Sequence, residues 1–469
     1  MMLTQSELVV DPDVCPDLIR KYDISGPRYT SYPTADRFVE AFGETDCRDW
    51  LARRRIGGVR QPLSVYVHLP FCNTICYYCA CNKVIAKDHG RSAKYIKYLL
   101  RELALKSSLL DADDRAICQL HWGGGTPTFL SRTEMKELMG ALHAHFRRAP
   151  NAEYSIEVDP RKVEPGTMAF LGALGFNRVS IGVQDFDPAV QKAVNRIQSE
   201  EETRRAIEEA RANGFDSVSI DLIYGLPRQH LAGFATTLEQ VVALSPDRIA
   251  LYNYAHLPTV FKPQRRILEA ELPPAEEKLA LFSRAMDFLA GAGYVYIGMD
   301  HFAKPTDDLA IAQRQGRLQR NFQGYSTHAD CDLLAFGISA IGRVGPTYYQ
   351  NVKTLDEYYD ALDGGHLPVM RGIQLTQDDL VRRAVIQALI CNFRLSIESI
   401  ELAYLIDFRR YFADELADLA QFGQEGLVDV TPEWITVTPR GRLLVRAICM
   451  VFDRYLRENR RRAAYSKVI

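Results

Sequence analysis

Ten cysteines are spread over 469 residues, and four fall within one stretch of ten, Cys72-Asn-Thr-Ile-Cys76-Tyr-Tyr-Cys79-Ala-Cys81. They directly follow an apolar run, Ser64-Val-Tyr-Val-His-Leu-Pro70, so the thiols sit on a loop at a strand end, dense enough to hold a metal centre. The C-x3-C-x2-C spacing differs from both ferredoxin patterns, C-x2-C-x2-C and C-x4-C-x2-C. It suits a cubane iron–sulfur cluster with three irons tied to thiolates and a fourth left open. An open iron can chelate a co-substrate and pass it an electron, which a cluster closed by four thiolates does not allow. A zinc knot would pair two C-x2-C arms at a distance, and only Cys76 and Cys79 have that form. A thioredoxin-like couple at those two residues would leave Cys72 and Cys81 unexplained. Spacing leaves open which three thiols bind iron.

The elements that position this loop follow from the order of the chain. From Tyr66 onward, stretches rich in Val, Ile and Tyr alternate with amphipathic stretches. The expected strands are 65–69, 117–122, 154–158, 178–183, 217–223, 248–254 and 294–299. Between them run expected helices over 92–110, 132–149, 165–174, 199–213, 231–244 and 274–290. Strands separated by helices of this length mean βαβ units and a parallel sheet. Six or seven units predict an α/β fold built on an incomplete parallel (β/α) barrel.

Nearly every strand ends in a glycine or an ionisable residue: Gly123-Gly-Gly-Thr-Pro-Thr128, Glu157-Val-Asp159, Gln184-Asp185, Asp221, His256 and Asp300-His301. In a parallel barrel those ends share one face, where active sites form. One such residue would more often be a helix cap; six strand ends in a row make a lined mouth. The cysteine loop follows the first strand and opens on the same mouth. The triple glycine is neither a dinucleotide fingerprint nor a P-loop, but it lets bare backbone approach a ligand.

Hydrophobic content of 47%, charged content of 25% and net charge −2 describe a globular protein without a field for nucleic acid or anionic lipid. Its length suggests two or three domains. The start Met1-Met-Leu-Thr-Gln-Ser-Glu7 lacks the basic and apolar regions of a signal peptide. No apolar run reaches membrane-spanning length. The remaining cysteines (Cys15, Cys47, Cys118, Cys331, Cys391, Cys449) are scattered, as reduced thiols of a cytoplasmic protein are.

Three units are expected: residues 1–60 as an N-terminal arm, 61–345 as the barrel, and 346–469 as a mostly helical domain with a small β wing. In the arm, Ser25-Gly-Pro-Arg-Tyr-Thr-Ser-Tyr-Pro-Thr34 is too rich in proline and tyrosine for a helix. It reads either as a surface arm packed by its aromatics or as a flap, with Arg28 offering a fork to a carboxylate. Arg28 reads equally well as holding the arm's own backbone. The C-terminal unit alternates over 426–438 like a hairpin turning near Pro432-Glu433 and closes with a helix over 440–457. Without a basic stripe, it is a helical cap before it is a winged-helix module. The run Arg457-Glu-Asn-Arg-Arg-Arg462 reads as a solvated helix end.

The chain strongly resembles the oxygen-independent coproporphyrinogen III oxidases of the radical S-adenosylmethionine (SAM) superfamily. The segments that carry the likeness include 25–34, His68-Leu-Pro-Phe-Cys72, His121-Trp-Gly-Gly-Gly-Thr-Pro-Thr128, Asn253-Tyr-Ala-His-Leu-Pro258 and Asn321-Phe-Gln-Gly-Tyr325. The arm motif and the fourth cysteine separate it from a related haem-chaperone branch, whose non-catalytic, haem-handling role is the alternative. The resemblance implies that Cys72, Cys76 and Cys79 hold a [4Fe–4S] cluster and that Cys81 is not a ligand. It implies two SAM molecules. The first would bind the open iron, with Tyr66, Tyr78, Gly124, Glu157 and Ile341 around it; the second would lie near Gly125, Thr126, Gln184, Arg196, Asp221 and Ala255. The implied reaction converts two propionates of coproporphyrinogen III to vinyl groups through a 5′-deoxyadenosyl radical, giving protoporphyrinogen IX. An external one-electron reductant is implied, and a monomer with neither nucleic-acid nor membrane partners is expected. Arg28 and Cys81 are the candidates for contact with the substrate. The loop Gly342-Arg-Val-Gly-Pro346 departs from the family pattern.

Overall fold

Parallel strands need long crossovers, and this chain supplies them as helices. The computed structural model describes residues 16–22, 24–54, 61–328 and 331–458. Six strands follow one another in sequence and in space: β1 (Leu63–Leu69), β2 (Ala116–Gly124), β3 (Arg147–Val158), β4 (Arg178–Gln184), β5 (Ser217–Tyr224) and β6 (Arg248–Asn253). Each pairs in parallel with the next. The helices between them include Gly90–Ser108, Arg132–His145, Glu200–Ala212 and Leu231–Leu244. Local chemistry sets two of the starts: Ser131 and Ser199 form capping boxes with Glu134 and Glu202.

The sheet continues past both ends of this series. β7 (Val295–Gly298) and β8 (His301–Ala303) add antiparallel strands beyond β6. On the other side, β9 (Asp332–Phe336) lies parallel to β1, and β10 (Ile341–Val344), β11 (Thr347–Asn351) and β12 (Val369–Gln374) extend it antiparallel. The order is β12-β11-β10-β9-β1-β2-β3-β4-β5-β6-β8-β7, so among the described residues the edges β12 and β7 do not meet. The result is a partial barrel, as expected.

Two expectations change. The strand expected at 294–299 forms, but as an antiparallel edge; the seventh parallel strand is β9, whose Asp-Leu-Leu-Ala-Phe carries no β-branched residue. The main sheet also runs through Gln374, beyond the boundary expected at 345, because β11 and β12 pair onto it. Smaller differences occur at two helices. The helix expected over 132–149 stops at His145. The one expected over 440–457 breaks into a 3-10 turn, Pro439–Leu444, and two short helices, Val445–Val451 and Arg454–Glu458.

A parallel sheet covered on both faces reads as continuous apolar runs; here the central strands alternate. Leu63, Val65, Val67 and Leu69 are buried in the apolar core. On the other face Ser64 bonds Gln119, Tyr66 bonds His68, and His121 bonds Ser155 and Glu157. The polar side is the concave lumen, and the convex side packs on the helices.

The wing has three strands, with Trp434–Val437 between Arg394–Ser396 and Val428–Val430. The arm runs between barrel and C-terminal unit. Val39 bridges Gly372 of β12, the Tyr29 hydroxyl donates to Asp453 at 3.0 Å, and Arg446 Nε donates to the Pro27 carbonyl at 2.8 Å. Tyr22 stacks on Phe422 with ring centroids 4.7 Å apart. Residues Met1–Glu7, Cys15 and the basic run beyond Glu458 lie outside the described residues.

Candidate active site

A short parallel clasp, Phe71–Cys72 against Val84–Ile85, pinches the base of the cysteine loop. Backbone groups anchor the loop to its surroundings: Tyr77 N donates to Val194 O at 3.0 Å, and Asn195 Nδ2 to Ile75 O at 2.7 Å. Gln264 Nε2 donates to Tyr78 O at 3.1 Å. The thiols are therefore presented by fixed backbone, as a metal centre requires.

Cations surround them. Arg196 Nη1 is 3.7 Å and Arg161 Nη2 3.8 Å from Cys76 Sγ, while the Thr126 hydroxyl donates to Cys72 Sγ at 3.5 Å. Lys83 Nζ donates to the Cys79 and Cys81 carbonyls. A hydrogen bond from the Cys81 thiol, with Lys83 behind it, holds Cys79 down to about 6. That same contact, with burial, pushes Cys81 well above the usual thiol range. Burial pushes Cys72 up to about 11, against the Thr126 hydrogen bond.

The triple glycine at the end of β2 is explained by what it touches. Gly124 has φ +116°, and a Cβ there would stand 2.6 Å from the His68 ring; at Gly125 it would meet the Pro70 carbonyl at 2.6 Å. The bare backbone lets Gly124 N donate to Glu157 Oε2 at 3.0 Å. His121 Nε2 donates to Glu157 Oε1 at 3.2 Å and its Nδ1 meets Ser155 Oγ at 2.6 Å. Burial opposes the charge of Glu157, but His121 and the Gly124 N–H together keep its carboxyl below the usual range.

Asp221 differs from its neighbour. Burial and the charge of Glu157 raise it to about 7, although the Ser180 hydroxyl donates to it at 3.2 Å. Arg196 is fixed by Nη2 donating to Gly182 O at 2.6 Å, by Nε to Gln198 at 3.1 Å, and by Asp159 at 3.5 Å. Gln184 holds a left-handed backbone, φ +70°, a strained conformation that recurs at binding sites.

Two cavities open here. One, about 340 Å³, is lined by Cys72, Cys76, Cys79 and Tyr78 together with Gly125, Thr126, Gln184, Arg196 and Asp221. The other, about 420 Å³, is lined by Arg28, Tyr66, Ile341, His301 and Arg320 among others. Cys81, Gly124, Glu157 and Tyr252 border both, so the cavities are contiguous. Of the residues expected around the first SAM, Tyr78 lines the cavity of the cysteines, Tyr66 and Ile341 the wider one, and Gly124 and Glu157 both; of those expected around the second, Gly125, Thr126, Gln184, Arg196 and Asp221 line the cavity of the cysteines. Ala255 sits just past β6 and lines neither.

Arg28 lines the wider cavity. It pairs with Asp300 and lies over the Tyr252 ring at 5.7 Å. Burial, then the charge of Arg320, lowers it to about 10. Sequence reasoning missed Arg320, whose Nε donates to the Arg28 carbonyl at 3.1 Å and whose buried Nη1 has no hydrogen-bond partner among the described residues. The signal was its place directly before Asn321-Phe-Gln-Gly-Tyr325. His121 and Arg161 were also missed as site residues, whereas Asp159 was among the strand ends expected to line the mouth.

The residues present fit an iron–sulfur cluster. Three thiols of one loop border one cavity beside two guanidinium groups that suit an anionic centre. The fourth thiol, Cys81, contacts Cys79 and lines both this cavity and the wider one.

The family model described as Radical SAM superfamily matches residues 66–241, and the one described as HemN C-terminal domain matches 375–444. The oxygen-independent coproporphyrinogen III oxidase of Pseudomonas aeruginosa is 54% identical over 456 residues, covering 97% of this chain and 98% of that protein. That of Escherichia coli is 49% identical over 452 residues, covering 96% and 98%. The solved structure titled as coproporphyrinogen III oxidase (HemN) from Escherichia coli, a radical SAM enzyme, superposes with TM-score 0.90 at 48% identity, over 95% of this chain and 100% of that one.

Proposed function

Since the chain belongs to the oxygen-independent coproporphyrinogen III oxidases of the radical SAM superfamily, we propose that its two contiguous cavities divide the work, one making the radical and the other holding the porphyrinogen. The protein is an oxidoreductase of haem biosynthesis that uses a [4Fe–4S] cluster and SAM. It oxidatively decarboxylates two propionates of coproporphyrinogen III to the vinyl groups of protoporphyrinogen IX. When bound, cluster and SAM supply a carbon radical able to take a hydrogen atom from a propionate.

The chain's own residues do the rest. Cys72, Cys76 and Cys79 hold three irons, and Arg161 and Arg196 offset the negative charge of the centre. Gln184 and Asp221 accept or donate hydrogen bonds to the ribose of the SAM on the cluster side, with Gly125 and Thr126 giving close backbone approach. Tyr66, Gly124, Glu157 and Ile341 border the place for a second SAM, toward the wider cavity. This apportioning rests on which cavity each residue lines. Arg320 and Arg28 offer guanidinium forks to the propionates, and a substrate carboxylate would compete with Asp300 for Arg28. The arm and the C-terminal cap exclude water from the radical. An external one-electron donor, a monomer, and a cytoplasmic setting without nucleic-acid or membrane partners complete the reading. Abundant free thiols support the reducing setting. Among the described residues no helix is long and apolar enough to cross a membrane.

One observation carries the division of labour: Cys81, Gly124, Glu157 and Tyr252 line both cavities, so the two adjoin. Arg320→Met tests it. In an anaerobic assay with SAM, dithionite and coproporphyrinogen III, KM for the porphyrinogen should rise at least ~tenfold, as expected for losing a charge-assisted bond. KM for SAM should stay unchanged. An unaltered porphyrinogen KM would remove the substrate from this cavity.

A further inference from the structure

The opposite end of the barrel carries a second set of metal-binding side chains that the reaction does not use. Cys118 is the third residue of β2, near its N-terminal end, whereas the cysteine loop follows the C-terminal end of β1. It is skipped by the register on both sides: Leu63 pairs Ile117 and Ser64 pairs Gln119, while on β3 Arg148 pairs Ile117 and Glu153 pairs Gln119. Such a bulge re-aims a side chain out of the strand's alternation, and bulges concentrate beside functional sites.

The re-aimed thiol meets two donors from distant parts of the chain. Its Sγ lies 3.2 Å from Cys331 Sγ, just before β9. With His328, which follows the small hairpin Gln319–Asn321/Gly324–Ser326, the three ligand atoms all fall within 4.8 Å of one another. Tetrahedral zinc, with sulfur at ~2.3 Å and nitrogen at ~2.0 Å, sets its ligand atoms ~3.5–3.8 Å apart. Small side-chain shifts would seat it here.

The surroundings match what a metal-bound imidazole needs. Glu153 Oε1 stands 3.6 Å from His328 Nε2, the position of a carboxylate that orients such a ring. Glu153 is itself fixed by the Thr327 hydroxyl at 3.0 Å and by Arg178 at 3.2 Å. Both His328 and Cys331 line a cavity of about 300 Å³ between the barrel and the C-terminal unit, which gives an ion a way in.

We propose that Cys118, His328 and Cys331 form a second metal site for a thiophilic divalent cation such as zinc, bound by two thiolates and one imidazole, with a water from the cavity in the fourth place. Binding to two thiolates and a neutral imidazole releases two protons from these three side chains and changes no oxidation state. The ion ties β2 to the start of β9, across the N-terminal end of β1 that lies between them. It serves the barrel and takes no part in the radical chemistry.

The test uses the full chain, purified without oxygen and with its cluster iron complete. Metal analysis should find about one zinc per chain that survives dialysis. Cobalt(II) added to zinc-depleted protein should give a thiolate-to-cobalt charge-transfer band. Cys331→Ser and His328→Gln should each lose the zinc or weaken cobalt binding at least ~tenfold, with cluster iron unchanged. Should a variant fail to fold, the wild-type cobalt titration decides. Absence of both zinc and the cobalt band would overturn the proposal. So would full zinc retention in both variants, or a Cys118–Cys331 disulfide in thiol-trapped, oxygen-free protein.

Discussion

Asp221 and Glu157 lie on the same lumen within reach of each other's charge, yet their environments drive them apart. Glu157 has His121 and a backbone N–H to hold it ionised, whereas for Asp221 burial and the charge of Glu157 outweigh the Ser180 hydroxyl and the charges of Arg196 and His121, and it is raised to about 7. The sign follows directly: a carboxyl with a raised pKa is charged above that value and neutral below it. If its carboxylate accepts the ribose hydroxyls of SAM, KM for SAM in the free enzyme should be flat above about pH 7. It should climb by up to ~tenfold per pH unit below that. Asp221→Asn should abolish this slope, and an unaltered wild-type slope in that variant would dismiss the carboxylate. The cysteines, glycines and acidic strand ends were legible because their types are rare or their chemistry explicit. Arg320 and His121 were not, since an arginine or histidine inside a strand is most often a surface or core residue. Only the cavity shows which way they face.

At the scale of elements, the loop after β2 is the most constrained part of the site. Gly124→Ala would place a Cβ 2.6 Å from His68 in a backbone conformation that side chains rarely adopt. We expect a loss of ~1–3 kcal/mol in denaturation midpoint analysis, together with weakened SAM binding as the Glu157 contact shifts. At Gly140, in the helix Arg132–His145, an added Cβ would meet nothing within 4 Å. Gly140→Ala should instead stabilise by up to ~1 kcal/mol. Equal effects from both changes would refute the steric account. The six strands β1 to β6 and the helices between them were readable from alternating strand and helix patterns. β9 was not: five residues without a β-branched side chain, set among turns, give periodicity too little to work on. The extension through β12 was hidden for a related reason, since antiparallel additions need no helix to announce them.

The whole molecule is a sheet that stays open along one seam and is closed by an arm and a cap. Tyr29 to Asp453, Arg446 to Pro27 and Val39 to Gly372 tie the arm to the C-terminal unit and to β12, and Arg28 and Thr30 line the wider cavity. Removing the arm through Thr34 should therefore leave SAM cleavage running while porphyrinogen conversion falls. The ratio of 5′-deoxyadenosine to protoporphyrinogen should rise several-fold, and a normal ratio would make the arm merely structural. The sequence pattern showed an irregular aromatic segment but not its partners, because those lie more than 300 residues away.

Everything in the radical chemistry depends on an iron that carries no protein thiolate and faces the cavity bordered by Cys81. Cys81→Ser, prepared without oxygen, addresses this most directly through iron content and the electron paramagnetic resonance of the reduced cluster with and without SAM. We expect full iron and a cluster signal that SAM shifts as it does in the parent protein. Loss of ~a quarter of the iron, or a parent signal indifferent to SAM, would mean a cluster closed by four cysteines.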